Sequence, residues 1–515
     1  MQVRKRLVAL AGLLTVTACS AQPPVNALTS SDGTVVRTEG GTLRGSAANG
    51  VRVFQGIPYA APPVGELRWQ DPRPAAPWAG ERDATEPQLA CAQSSPQPQR
   101  WAGEDCLYLN VTAPAGGRGK PVVVWLHGGQ FTSGAGSLFD PARWVERGDV
   151  VVVTVNFRLG VFGHFAHPGL PGSGTFGLRD QQAALAWVKR NAAAFGGDPG
   201  NVTLAGQSSG AMSSCAQLTS PLAAGLFDKA VLQSGGCDVS WPDDLDFRGQ
   251  PAGKVFRPLP EVETTGRRTA AELGCTGADD AVLACLRALP AEELEPLTGR
   301  FAHPAHGTPL LPAEPAKALA AGAFHRVPVL SGSTRDEGTT SAASYDGGKP
   351  IGEQTYDEVL TTAFGPDRPL VEAVYPRSAH GSAAEAWAAI TTDRKWACPQ
   401  YGTSRKLARH TSVHQYEFAD PAPPPMSPEP PAMPMGAYHT SELWSLFDLY
   451  GIPAPLNPAQ QRLSEQMIDH WTAFARTGDP GWPGFDAGTA QQLAPDRIGP
   501  VDLAAEHHCD FWSAR

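Results

Sequence analysis

Basic side chains are in short supply in this chain. Its 515 residues carry 41 Lys and Arg against 51 Asp and Glu, a formal charge of −10 at pH 7, and charged residues of both signs reach only 18%. Nothing here would neutralise a run of phosphates, which excludes nucleic acid as a partner. Long apolar runs are equally scarce: past Val16 no stretch stays apolar for long enough to cross a bilayer. Internal repeats are missing too. Glycine (55) and proline (49) are abundant but aperiodic, which excludes collagen-like and solenoid architectures and implies many loops between short regular elements. What is present is a 42% hydrophobic content, ample for a large buried core, in a chain whose length alone would suggest roughly two or three domains.

The N-terminus stands apart. Arg4, Lys5 and Arg6 precede an apolar run, Leu7 to Val16, that is too short to span a membrane, and small residues follow, the pattern of an export signal. Val16-Thr17-Ala18-Cys19 resembles a bacterial lipobox, in which the cysteine is lipidated and becomes the mature N-terminus; the alternative is ordinary cleavage near Ala21 with Cys19 discarded. The expectation is a signal peptide over 1–19, a tether over 20–32, and a secreted protein that a lipid on Cys19 would hold at the outer face of the cell membrane. Nine cysteines suit such an oxidising compartment, and setting Cys19 aside leaves an even number. Cys91 with Cys106, and Cys275 with Cys285, are near enough in sequence to close local loops, and a Cys398–Cys509 bridge would staple the C-terminal segment to the body. Spacing alone does not decide the connectivity.

Along the remaining chain, Val35–Thr38, Thr42–Arg44 and Val51–Phe54 are short β-branched runs broken by glycine, which predicts an N-terminal antiparallel meander. Leu107–Thr112, Val122–Leu126 and Val150–Asn156 read as strands, the last two apolar on both faces as central strands are. Asp180–Phe195 has helical spacing, Val202–Ala205 is the next strand and Ser208–Leu218 the next helix; strands at Lys229–Leu232, Val327–Ser331 and His414–Phe418 continue the alternation. Strand and helix in this order imply an open, mostly parallel sheet with helices on both faces. Asp238–Pro312 reads as a partly helical excursion from the sheet. Pro421–Met435 reads as irregular, and as a wall of a substrate pocket because a candidate histidine follows it.

Gly206-Gln207-Ser208-Ser209-Gly210 falls between a buried strand and a helix. A bare G-x-S-x-G recurs by chance, but in this context it describes the nucleophile elbow of α/β-hydrolases, a turn crowded enough to demand glycine on either side. The elbow lifts the Ser208 hydroxyl over a helix N-terminus, whose positive end favours the oxyanion of acyl transfer. A serine needs a histidine to take its proton and a carboxylate to orient that histidine, and in this fold the chain order is serine, acid, histidine. His439, in Gly436-Ala437-Tyr438-His439-Thr440-Ser441-Glu442, and Glu337, in Arg335-Asp336-Glu337-Gly338, follow the last two strand candidates and meet that order, with Asp336 the competing acid. His164 and His167 precede the serine and would reverse it. His507 and His508 beside Cys509 suggest a metal cluster at first glance, but read better as a solvated C-terminal pair. His127-Gly128-Gly129-Gln130-Phe131 follows a strand, and the amides of Gly129 and Gln130, with that of Ser209, would form an oxyanion hole.

Longer motifs accompany these. Glu104-Asp105-Cys106-Leu107-Tyr108-Leu109-Asn110-Val111, Phe195-Gly196-Gly197 with Asn201-Val202 and the segment through Gly210, Phe54-Gln55-Gly56-Ile57-Pro58-Tyr59, Asn156-Phe157-Arg158-Leu159-Gly160 and Thr477-Gly478-Asp479-Pro480 together resemble the type-B carboxylesterases and cholinesterase-like proteins from about Val35 onward. The resemblance implies one α/β-hydrolase catalytic domain over 33–515, with Ser208, Glu337 and His439 as nucleophile, acid and base. It also implies disulfides Cys91–Cys106, Cys275–Cys285 and Cys398–Cys509, internal ion pairs Arg68–Glu104 and Arg158–Asp180, and a supporting role for Ser234. Two positions depart from the family: Gln130 stands where most relatives have Gly or Ala, and Ser209 where Ala is commoner. Trp101 does not match the choline-binding tryptophan, so choline specificity is not implied. Cys215 and Cys237 have no family role and are either free or an extra bridge. The expected activity is hydrolysis of a small-molecule carboxylic ester through an acyl-enzyme, with no metal or organic cofactor and no obligatory protein partner. The alternatives are a non-catalytic recognition protein of the same family, or a hydrolase of carbamates, amides or thioesters.

Overall fold

Two valine-rich runs organise the molecule. Val122–Leu126 and Val151–Val155 are buried at every position, which a strand sustains only where helices cover both faces of its sheet. The computed structural model describes residues 33–94, 101–485 and 488–514, so the expected signal peptide, the tether to residue 32 and Cys19 lie outside the described residues. The strands longer than two residues, in chain order, are β1 (Val35–Thr38), β2 (Gly41–Arg44), β3 (Ser46–Ala48), β4 (Val51–Pro58), β5 (Glu81–Asp83), β6 (Tyr108–Pro114), β7 (Lys120–Leu126), β8 (Val151–Val155), β9 (Gly197–Gln207), β10 (Lys229–Gln233), β11 (Val329–Thr334), β12 (Val413–Phe418), β13 (Ala490–Ala494) and β14 (Arg497–Val501). An 11-stranded sheet runs β14-β13-β12-β11-β10-β9-β7-β8-β6-β4-β3. It is parallel from β13 across to β8 and antiparallel at both margins. The mostly parallel sheet expected of an α/β-hydrolase is therefore present.

The period of two along β7 divides the core. Val122, Val124 and Leu126 face one apolar cluster, with Ala184, Leu185 and Val188 of helix α1 (Phe176–Asn191) and Ala211, Cys215 and Leu218 of α2 (Ser209–Thr219). Val123 and Trp125 face the other, with Leu463, Met467, Trp471 and Phe474 of α4 (Pro458–Thr477). Between them in the chain, α3 (Cys398–Ala408) buries Leu407 on the α1 side. The N-terminal meander is not one sheet. β1 and β2 pair antiparallel but take β5 in parallel as a third strand, whereas β4 crosses into the large sheet against β6. Gly45 makes that crossing possible, since a Cβ there would strike the Val53 carbonyl and the Phe54 ring. Asp238–Pro312 is an excursion that includes helices Leu259–Glu272 and Asp279–Ala288.

The three implied disulfides are present, and Cys215 and Cys237 form a fourth that ties α2 to the loop after β10. Arg68 and Glu104 pair through Nε–Oε1 at 2.7 Å, and Arg158 holds Asp180 with two side-chain hydrogen bonds of 2.7 Å. His507 corrects the expectation of a solvated pair. It is 3% exposed, its Nδ1 lies 2.6 Å from Asp393 and its Nε2 2.7 Å from Glu417, so it is clamped between buried carboxylates. His508 keeps the more open place, with 44% side-chain exposure.

Candidate active site

Glycines at both flanks of Ser208 are enforced by contact. A Cβ on Gly206 would strike Gly210, and one on Gly210 would strike the Leu126 carbonyl at the end of β7. Ser208 itself takes φ 56°, ψ −126°, a strained conformation at the junction of β9 and α2. Its backbone N–H donates to the Gln233 carbonyl at 2.9 Å and its carbonyl accepts from Met212 at 3.0 Å, so neighbouring strand and following helix both hold the turn. The hydroxyl takes no hydrogen-bond partner among the described residues and opens into a cavity of about 1910 Å³ that His439 and Glu337 also line.

Of two adjacent carboxylates, tertiary structure spends one elsewhere. Asp336 pairs with Arg335 at 2.9 Å and accepts the Ala437 N–H at 2.7 Å. Glu337, 1% exposed, accepts the Thr334 N–H at 2.9 Å on one oxygen and holds His439 Nδ1 with the other. That contact turns Nε2 to the other side of the ring, where it sits 3.4 Å from the Gln207 carboxamide beside Ser208. His439 follows Pro421–Met435, the irregular segment expected to wall the pocket, which contributes Pro425, Met426 and Met435 to the cavity lining.

The oxyanion candidates converge on the same point. A Cβ added to Gly128 would lie 3.1 Å from Ser208 Cβ, so this loop passes directly over Ser208. The amides of Gly129, Gln130 and Ser209 form no hydrogen bond among the described residues. His127, at the head of the loop, is buried, stacks on Phe157 at 4.3 Å, and is pushed down to about 4 by that burial; it is a neutral strut. Ser234 lies beyond β10 at φ 52°, 1% exposed, its N–H donating to the Gly332 carbonyl at 2.7 Å. His164 and His167 belong to the core: His164 Nδ1 is 3.2 Å from the Phe301 carbonyl, and burial lowers its pKa to about 3.

Two neighbours of the site had no local signal. Trp396 packs its ring on His439, and Glu442 is a fully enclosed carboxyl accepting from Gln233 at 3.4 Å. The motif around His439 contains Glu442, yet only burial beside Glu337 distinguishes it. The rest of the cavity is dominated by apolar and aromatic side chains, among them Trp101, Phe131, Met212 and Trp241, with some from Asp238–Pro312.

The geometry agrees with the sequence comparisons. A model of the Carboxylesterase family matches residues 32–495. The chain is 35% identical to para-nitrobenzyl esterase of Bacillus subtilis over 90% of its own length and 94% of the relative's. It is 32% identical to fumonisin B1 esterase of Sphingopyxis macrogoltabida, covering 91% and 90% of the two chains, and 32% identical to carboxylesterase 5A of Felis catus, covering 93% and 92%. An elbow serine, a carboxylate-held imidazole and a family match over most of the chain have one common reading: the chain belongs to the carboxylesterase family and is a serine carboxylic ester hydrolase of the α/β-hydrolase fold.

Proposed function

We propose that hydrolysis proceeds through an acyl group on Ser208, with His439 as base and then acid and Glu337 as the carboxylate that orients it. The observation that carries this is the Glu337–His439 contact, which directs Nε2 at the turn bearing an unpartnered serine hydroxyl. Nε2 takes the Ser208 proton as Oγ attacks the ester carbonyl. The imidazolium then protonates the departing alcohol, and water repeats the sequence to release the acid. Three unspent amides, from Gly129, Gln130 and Ser209, receive the oxyanion, each worth on the order of 3 kcal/mol in the transition state. A fluorophosphonate probe and a chain-length panel of aryl esters test the assignment. Ser208 labels in the folded protein, and Ser208→Ala lowers turnover by several orders of magnitude. Folded protein that neither labels nor turns over esters would instead be a recognition module.

We further propose that residues 1–19 are an export signal, 20–32 a tether and 33–515 one catalytic domain. Four disulfides suit an oxidising compartment, and among the described residues no helix is long and apolar enough to cross a membrane. Mass spectrometry of the exported protein decides between a lipid on Cys19 and a mature N-terminus near Ala21.

A further inference from the structure

The oxyanion loop holds two successive non-glycine residues in the left-handed region, Gln130 at φ 57° and Phe131 at φ 60°. The turn that imposes this is over-determined. The Gly129 carbonyl accepts the N–H groups of Thr132 and Ser133, both at 3.0 Å, and their hydroxyls at 3.1 and 3.3 Å. Glycine would enter the same conformation freely. Phe131 has a visible reason to be there: it is 4% exposed, within the apolar cluster of Met212, Val239 and Val255. Gln130 has none of that kind. Its side chain is exposed, lines the cavity that holds Ser208, and its carboxamide forms no hydrogen bond among the described residues. A strained backbone position occupied by an exposed side chain with no hydrogen bond among the described residues points to a use outside the free enzyme's own packing.

We infer that the Gln130 carboxamide determines specificity by reading an oxygen-bearing substituent close to the scissile carbonyl. The inference rests on the assignment of Ser208 as nucleophile. The backbone N–H of Gln130 is one of the donors placed for the carbonyl oxygen, so its side chain starts from a backbone within the first few atoms of that carbonyl. A carboxamide both donates and accepts. It therefore recognises a hydroxyl in either sense and an oxo or carboxylate oxygen by donation. The favoured substrates are esters carrying such a group on the α or β carbon of the acyl chain, or at the equivalent place on the alcohol.

The test compares kcat/KM ratios within each enzyme. The substrate pairs are para-nitrophenyl β-hydroxybutanoate against para-nitrophenyl butanoate for the acyl arm, and hydroxyethyl butanoate against ethyl butanoate for the alcohol arm. The full-length wild type prefers the oxygenated member of at least one pair, and that preference falls about tenfold in Gln130→Ala and Gln130→Gly. The arm that responds identifies the side of the ester being read. A loop that merely shifted would slow both members of a pair alike and leave the ratio unmoved. Gln130→Gly relieves the backbone, so it guards against a variant that fails to fold. Active variants with wild-type ratios in both arms overturn this inference alone, whereas a wild type without turnover or Ser208 labelling overturns the assignment beneath it.

Discussion

The indole of Trp396 lies 4.4 Å, centroid to centroid, from the imidazole of His439, the two planes inclined by 34°. Trp396 belongs to a π-helical turn, Thr392–Ala397, between helix Ala383–Thr391 and α3, a widening of the helix that recurs at functional sites. The Lys395 ammonium lies 4.6 Å from the same indole and pairs with Asp246 at 2.6 Å, so the ring is fixed from a second direction. Glu337 sets one edge of the imidazole, and Trp396 restricts its tilt.

Removing that restraint loosens His439, the proposed base, without removing any of the proposed reacting groups. Trp396→Leu is expected to lower kcat by about tenfold to a hundredfold with a smaller change in KM, while Trp396→Phe retains most of the rate. Steady-state kinetics on an aryl ester decide this. Equal losses in both variants would mean that indole contact is not what orients the base.

The Arg158–Asp180 pair is almost fully enclosed, with side-chain exposures of 3% and 0%. Asp180→Asn strands a buried guanidinium and is expected to destabilise the fold by about 3–5 kcal/mol. The midpoint of urea unfolding measures it; a shift near zero would mean that water reaches the pair in solution.

His507 predicts a pH dependence of stability. Burial by itself lowers its pKa, but hydrogen bonds to Asp393 and Glu417 override this and raise it from 6.5 to about 10. The folded protein thus keeps a proton that the unfolded chain has released, so the contribution is complete below 6.5 and lost as pH rises through about 10. Melting curves of wild type and His507→Gln should differ most at the acid end of this interval and converge toward its alkaline end. A constant gap would argue against a charged imidazole.

Glu442 acts over a lower window. Burial first, and the Glu337 charge second, raise its pKa from 4.5 to about 8. Because the folded value is the higher one, wild-type stability relative to Glu442→Gln declines from about 4.5 up to about 8 and is level beyond. Paired thermal melts across that range test the sign: a gap that widens in favour of the wild type with rising pH would contradict it.

Ser208 could be found in the chain itself because an elbow is a local steric problem. Its flanking glycines are demanded by contacts with Gly210 and the end of β7, and they sit in the string as a pattern. The valine-rich central strands were equally readable, since Val122–Leu126 and Val151–Val155 are apolar on both faces, with Thr154 the one exception, whereas Ala490–Ala494 and Arg497–Val501 at the sheet margin carry no such run and were not foreseen. Other features had no local signature. Asp336 and Glu337 are chemically alike neighbours, and the partners brought up by the fold, the Ala437 N–H for one and His439 for the other, separate them. His507 looked like a surface residue because its carboxylates lie 114 and 90 positions away. Cys215 and Cys237 had no assignment until α2 packed beside the loop after β10.

Sequence alone determined the fold class and the glycine-flanked elbow that carries Ser208, because short-range sterics and the period of burial are written along the chain. Tertiary structure alone decided which carboxylate serves His439, what covers its ring, where His507 is buried and how the last two cysteines pair. Each of these depends on atoms distant in sequence meeting in space, and no local property of the residues encodes that meeting.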